Sequence, residues 1–446
     1  MHAGLGGSRA FAVNRVERLA AFVHATHAGD IPDDLRQKIR VHLVDTIAAG
    51  VAGSTSPEAL RMREAGQGSL RGRVMAHGVA AHVLELDDTG GCDHSGVAVV
   101  PAVVGLLDAQ SETTLDEAVT AVALGYEVAR RVQFYLGGYP KLNARGWHST
   151  PVCGPIGSAA AGAKLLGLDA AGIADAMGIA SSMMAGTWSF KTGGGDNKSL
   201  HGGLAAASGA ESAWLAKHGV QGTRDIFEDV WGGLGQVYAA GEPDAEALTA
   251  DLGNRWVAYD ASIKAFPSCA SSHRLIQLAE RRLVAEQLDL DSISRIVITL
   301  SPLVADMCGE TRMSRLETFR QRQLSIPYGI ALTLTQGSMT FDGLFAQPSA
   351  ETTLAALLEK TEVVVDESIL SAHGEGTVSV HSGSRVEAFT TDSVADPRCN
   401  ITSIEQVLDK AEGMLRSVAM EERFEPLLQL ANAPGTALAA PFFARI

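Results

Sequence analysis

Apolar residues recur at helical spacing through most of the first 260 positions. Ile39, Leu43, Val44, Ile47 and Ala48 share one face and predict a helix over 35–53, preceded by another over 14–30. Thr114-Leu115-Asp116-Glu117 is a capping-box pattern. It opens a helix to about Leu136, with Ala118, Val122, Tyr126 and Ala129 on one stripe. Val152 to Gly167 reads VCGPIGSAAAGAKLLG, too rich in Ala and Gly for a strand, and predicts a buried helix stopped by Gly167. Helices follow over 169–184 and 200–218, the second ended by Gly219. No internal repeat or low-complexity tract interrupts the pattern.

After about residue 260 the period changes. SISRIVITLS at 292–301 and TEVVVD at 361–366 are β-branched and predict strands. Residues 376–381 and 385–390, joined by Ser382-Gly383-Ser384, predict a hairpin. Helices are expected near 273–287 and 325–336, and again in the tail from 403 to 418. The expected fold class is mainly α. An all-helical domain is built from both chain ends (1–262 and 397–446), and a smaller α+β lid domain (263–396) is inserted between them.

The 446 residues carry 46% apolar and 20% charged side chains, enough for a sizeable core and against disorder. Aromatics are only 5%, and the abundant Ala and Gly favour closely packed helices. Net charge is −15 and the 36 Lys and Arg are scattered, so no cationic footprint for nucleic acid exists. An anionic substrate has to be met by a few local cations against the global field. Five cysteines without C-x-x-C spacing argue against a disulfide framework or zinc site and fit a reducing cytosol, hence a cytoplasmic protein. No apolar run approaches the roughly 20 residues of a membrane span, and the N-terminal stretch lacks the apolar region of a signal peptide.

Five places carry candidate chemistry. The first is LELDDTGGCDH at 84–94, which crowds Glu85, Asp87, Asp88, Asp93 and His94, with Thr89, between two apolar runs. A buried acid costs several kcal/mol unless paired, so these are either caps and ion pairs or groups with tuned pKa values. Carboxylate with imidazole also suits a divalent ion, but no second cluster has ligand spacing. The second is GWHSTP, which puts His148 at the start of a small-residue helix. There the helix dipole disfavours imidazolium and suits a general base, or the residue is simply a cap. The third is GGGDNKSLHGG at 193–203. It offers backbone N–H groups with Lys198 and His201 one turn apart, either a carboxylate clamp or a flexible loop. The fourth, KAFPSCASSHR at 264–274, opens a helix at His273; the fifth, SIPY, places Tyr328 at another helix start. Both also read as ordinary helix openings.

Taken in order, LELDDT with its following His, GWHSTP before a G/A-rich helix, NKSLHGG, FPSCASSH, LSIPY and DPRCN at 396–400 resemble the MmgE/PrpD family over essentially the whole chain. That family includes 2-methylcitrate dehydratase, cis-aconitate decarboxylase and iminodisuccinate epimerase; GWH, IFED and PSC look close to the epimerase branch. The resemblance implies a homodimer with no required cofactor or metal and an active site between the domains. Its catalytic residues would be His94, His148, Lys198 and His273. Glu85, Asp88, Thr89 and Tyr328 would bind a small polycarboxylate. The chain departs in four places. Glu85 stands where Asp is usual, Ser95 and Ser149 follow the two histidines where Pro is common, and the segment 57–79 is shortened.

The chemistry so implied is proton movement beside a carboxylate, with His94 and His148 as the pair and their acid and base roles open. Lys198, His273, Tyr328 and backbone amides near 193–195 would hold substrate carboxylates. Three functions stay open: a dehydratase or decarboxylase, a metal-free epimerase, and a silent binding subunit.

Overall fold

A computed structural model of the chain describes residues 14–107, 112–193, 195–345, 352–370, 374–393 and 401–443. The DPRCN motif and Gly194 lie outside these residues. The fold is mainly α with a four-stranded mixed sheet and a two-stranded antiparallel ladder among the described residues.

The expected caps form. Thr114 Oγ1 accepts from Glu117 N at 3.3 Å while the Glu117 carboxylate accepts from Thr114 N at 2.8 Å, opening the helix Leu115–Tyr135. Asn14 and Ser403 open Arg15–Ala25 and Ile404–Ser417 in the same reciprocal way. The Ala/Gly-rich stretch is the buried helix Ser149–Leu165, with Gly167 left-handed just beyond it (φ +71°).

Three helices arise where the apolar pattern gave no element: Pro57–Ala65, Leu70–Val83 and Ser95–Leu106. The last is buried nearly all round and carries Pro101 in its interior, so neither a polar face nor an uninterrupted run marks it as helical. Conversely, the single helix expected over 273–287 divides into an α-helix His273–Leu278 and a π-helical turn Ala279–Leu283.

Close helix contacts set up the site. The helix Asn197–Lys217 runs along Leu70–Val83, and a Cβ added at Gly203 would fall 2.5 Å from the Met75 carbonyl oxygen. Only glycine allows that approach. It brings the first turn of Asn197–Lys217, with Lys198 and His201, beside the end of Leu70–Val83, with His82.

Two clusters of buried apolar side chains result. One runs from Val16 to Ile263 and is completed by Val407, Ala411, Leu415 and Leu430 near the other chain end. There Lys410 Nζ donates to Asp45 Oδ1 at 2.7 Å, tying Ile404–Ser417 to Asp33–Gly53. The second cluster runs from Phe266 to Val380. Its sheet has strand order Thr361–Val365, Ile293–Leu300, Gly376–Ser382, Arg385–Thr390; the first pair is parallel and the others antiparallel. Ile296, Ile298, Leu300, Val378 and Val380 face inward from alternating positions. No helix among the described residues is long and apolar enough to cross a membrane.

Candidate active site

The acidic stretch begins where Leu70–Val83 ends. Glu85 adopts a left-handed backbone (φ +54°), which costs a non-glycine residue energy and turns the chain sharply inward. Asp88 and Thr89 then pair with Ser262 and Ile263 in a two-residue antiparallel ladder. That ladder delivers Lys264, whose N–H donates to the Asp87 carbonyl at 3.3 Å.

The acids are buried because each is partnered. Asp88 accepts from Gly96 N (2.8 Å), Tyr126 OH (2.7 Å) and His42 Nδ1 (3.2 Å), holding the start of Ser95–Leu106. Asp87 meets His94 Nδ1 at 2.7 Å, His82 Nδ1 at 3.2 Å and Lys264 Nζ at 3.6 Å. Glu85 is shared by two ammonium groups: Lys264 at 2.7 Å and Lys198 in direct contact. The extra methylene of Glu over Asp gives this carboxylate the reach to bridge both.

His148 caps Ser149–Leu165 without a side-chain cap bond. Its Nδ1 lies 2.9 Å from His201 Nδ1, so one ring donates and the other accepts. Trp188 and Phe190 pack against the ring, with centroids at 4.9 and 5.6 Å. Both His94 and His148 therefore have Nδ1 engaged, and their rings lie 6.1 Å apart. Between them sits Asp93, with Oδ1 3.7 Å from His94 Nε2 and Oδ2 3.2 Å from His148 Nε2.

This environment separates the two histidines. Burial pushes His94 down, but the Asp87 and Asp93 carboxylates more than offset it, and its pKa rises above the usual value. Burial dominates at His148, whose pKa falls despite Asp93. At His201 burial, His148 and Lys198 lower it to about 3. Burial also opposes ionisation of Asp87, yet Lys264, His94 and His82 hold it well below the ordinary carboxylate value. Burial, then Lys264, push Lys198 well below the ordinary lysine value.

A cavity of about 620 Å³ lies where the two halves of the chain meet. His82, Glu85 and Lys198 line one side; Arg312, Arg315 and Arg320 line the other. Lys191 Nζ bridges the mouth to Asp306 at 2.6 Å. Five lysines and arginines face three carboxylates in the lining, a local positive excess in a chain of net charge −15. Arg312 pairs with Glu310 at 2.7 Å and Arg320 with Glu58 at 3.0 Å; Arg315 is exposed and has no side-chain ion pair among the described residues.

Of the residues singled out from sequence, Glu85, His94, His148 and Lys198 thus belong to one connected network. Glu85 and Lys198 reach the cavity wall, whereas the two histidines are buried and not among its lining residues. Asp88 and Thr89 are beside the network but spent on backbone and buried partners. His273 packs against Phe266 (5.4 Å), and Tyr328 OH donates to the Gly343 carbonyl at 3.4 Å; both lie in the second core rather than on the cavity wall. Sequence reasoning gave no role to His82, His42 or Lys264. His82 stands three residues before Glu85 at a helix end, and Lys264 opens the FPSC segment, but neither spacing marks a site by itself.

Two triads bring possible metal-ligand atoms within 4.8 Å: His82–Glu85–His94 and Asp93–His94–His148. The first suits a cation poorly, because Glu85 is already claimed by two ammonium groups. In the second, His94 Nδ1 is held by Asp87 and His148 Nδ1 by His201, so the two Nε2 atoms and the Asp93 carboxylate are the atoms that face one another.

Fold and site together define a class: mainly helical proteins with a small mixed sheet and a buried cluster of imidazoles, carboxylates and lysines beside an internal cleft. Residues 17–246 match the MmgE/PrpD N-terminal domain and residues 266–431 the MmgE/PrpD C-terminal domain. The chain belongs to the MmgE/PrpD family. It is 27% identical over 387 residues to the cis-aconitate decarboxylase-like protein oryM of Aspergillus oryzae (strain ATCC 42149 / RIB 40), covering 79% of this chain and 80% of the relative. It is 27% identical over 463 residues to cis-aconitate decarboxylase of Aspergillus terreus (strain NIH 2624 / FGSC A1156), covering 91% and 93%. To the Homo sapiens cis-aconitate decarboxylase it is 29% identical over 314 residues, 64% of each chain.

Proposed function

We propose that the protein is a lyase of the dehydratase or decarboxylase type, acting without a cofactor on a small di- or tricarboxylate. The observation that carries this reading is the pair of buried imidazoles, His94 and His148, whose Nε2 atoms face one gap and whose pKa values are driven apart. Groups separated in this way divide into acid and base. The neutral His148 is the base: with Nδ1–H donated to His201, its Nε2 lone pair faces the gap. The protonated His94 is the acid. In elimination, His148 Nε2 takes the proton from carbon and His94 Nε2–H gives one to the departing hydroxyl, which leaves as water. In decarboxylation, CO2 departs and the carbanion takes its proton from His94. Lys198 and the arginines across the cavity stabilise the carboxylates and the enolate-like charge. His273 and Tyr328 support the wall, the segment 263–396 serves as the lid, and two copies form the working dimer. That the relatives are cis-aconitate decarboxylases and a decarboxylase-like protein supports this class.

The same two nitrogens favour a second reading. Facing imidazoles on either side of one carbon are what inversion requires, so an epimerase is the alternative. Proton NMR over a panel of di- and tricarboxylates separates the two. New vinyl protons or CO2 mark the lyase, and inversion without net loss marks the epimerase. A panel left wholly unchanged refutes both.

A further inference from the structure

The gap between His94 and His148 is already filled, and its occupant fits badly. Asp93 stands at φ +92°, a backbone region that L side chains rarely adopt. Its Oδ1 is 3.7 Å from His94 Nε2, too far for a good hydrogen bond. Its Oδ2 is 3.2 Å from His148 Nε2, yet that fully buried nitrogen makes no aligned hydrogen bond. Asp93 is also the most exposed member of the cluster, at 13% against 0–5% for Asp87, His94 and His148, so it sits on the outward side. Both Nδ1 atoms are engaged elsewhere, so any proton exchanged with a substrate has to pass through the two Nε2 atoms that Asp93 covers.

We propose that the His94 side of this gap is a carboxylate-binding subsite, that Asp93 is its internal placeholder, and that an incoming substrate carboxylate displaces Asp93, leaving the His148 Nε2 lone pair free to face the adjoining carbon. The inference rests on the polycarboxylate reading above and adds where one carboxylate docks. The surroundings favour a carboxylate anion there: burial opposes it, but His94, His148 and Lys264 hold the Asp93 acid down at about 2. Displacement exchanges the poorly placed Asp93 contacts for an aligned charge-assisted one at His94.

The test is malonate binding by titration calorimetry at pH 6, where His94 stays protonated, with phosphate as the non-carboxylate control. Asp93→Gly removes the competing carboxylate and accepts φ +92° without strain; Asp93→Asn keeps the shape and removes the charge. Losing one competing charged contact tightens malonate binding about tenfold in Asp93→Gly, less in Asp93→Asn, with phosphate unaffected. Unchanged or weaker malonate binding in both variants overturns the proposal. Should Asp93→Gly not fold by circular dichroism, wild-type protein carrying 15N-labelled histidine decides. Malonate shifts the His94 and His148 Nε2 resonances if the subsite exists, and leaves them in place if it does not. Binding is read without turnover. An inert substrate panel with tighter malonate binding therefore removes the lyase reading and keeps the subsite. Turnover with no effect at Asp93 does the reverse.

Discussion

The buried charges predict a specific cost for losing Lys264. Three carboxylates, Glu85, Asp87 and Asp93, face Lys198, Lys264 and His94, so removing one cation leaves their charge short of a partner. Lys264 is fully buried and touches two of the acids, Glu85 at 2.7 Å and Asp87 at 3.6 Å. Lys264→Met preserves volume and leaves one buried negative charge uncompensated. Removing one partner of a buried pair costs about 3–5 kcal/mol. Unfolding entropy of about 2 cal/mol/K per residue gives roughly 0.9 kcal/mol/K for the 446-residue chain, so Tm falls about 3–5 °C. Differential scanning calorimetry of the purified variant measures this. The exposed pair Arg416–Glu412 supplies the control, since Arg416→Met shifts Tm by under about 1 °C. Lys264→Met/Glu85→Gln restores the balance and recovers part of the loss. A Lys264→Met protein as stable as wild type, or a double variant less stable than the single one, would refute the charge accounting.

Three further outcomes follow from the site. His148→Ala and His94→Ala each lower kcat by about 10²–10⁴-fold with the fold intact by circular dichroism, and full activity in either removes that residue from the chemistry. The pH profile is bell-shaped around the ordinary histidine value. Activity needs His148 neutral, so the acidic limb falls below the usual pKa of 6.5. It also needs His94 protonated, so the basic limb falls above it; a single-limbed profile contradicts the assignment. Lys264, His82, Asp87 and Asp93 face His94, and His201 and Asp93 face His148, so Asp87→Asn moves the basic limb to lower pH. Arg315→Gln, which leaves the internal ion pairs untouched, raises KM for a tricarboxylate about tenfold or more with little change in kcat, read from initial rates.

Much of this was legible in the chain. Thr114 with Glu117, Gly167 and the strand Ile293–Leu300 follow from local chemistry: reciprocal caps, a left-handed stop, and a β-branched run. Glu85 and His94 were visible as polar groups between two apolar runs, and His148 and Lys198 as polar residues at helix starts within the ordered motifs. The helix Ser95–Leu106 escaped because burial on every side erases the helical period. Lys264 and His82 escaped for a different reason. Their roles depend on the two-residue ladder between Asp88–Thr89 and Ser262–Ile263 and on the glycine contacts along Leu70–Val83, and pairings between residues so far apart in the chain leave no spacing to read. The opposite pKa shifts of the two histidines likewise depend on which carboxylates the fold sets beside each ring.

The central claim is that His148 and His94 exchange protons with carbon beside a substrate carboxylate. Deuterium incorporation from D2O into that carbon, followed by proton NMR in wild type, His148→Ala and His94→Ala, tests it most directly. The account predicts label at one carbon of a turned-over polycarboxylate or its product in wild type, and loss of that incorporation by about two orders of magnitude or more in His148→Ala where the step is elimination and in His94→Ala where it is decarboxylation. Wild-type incorporation in both variants would contradict it.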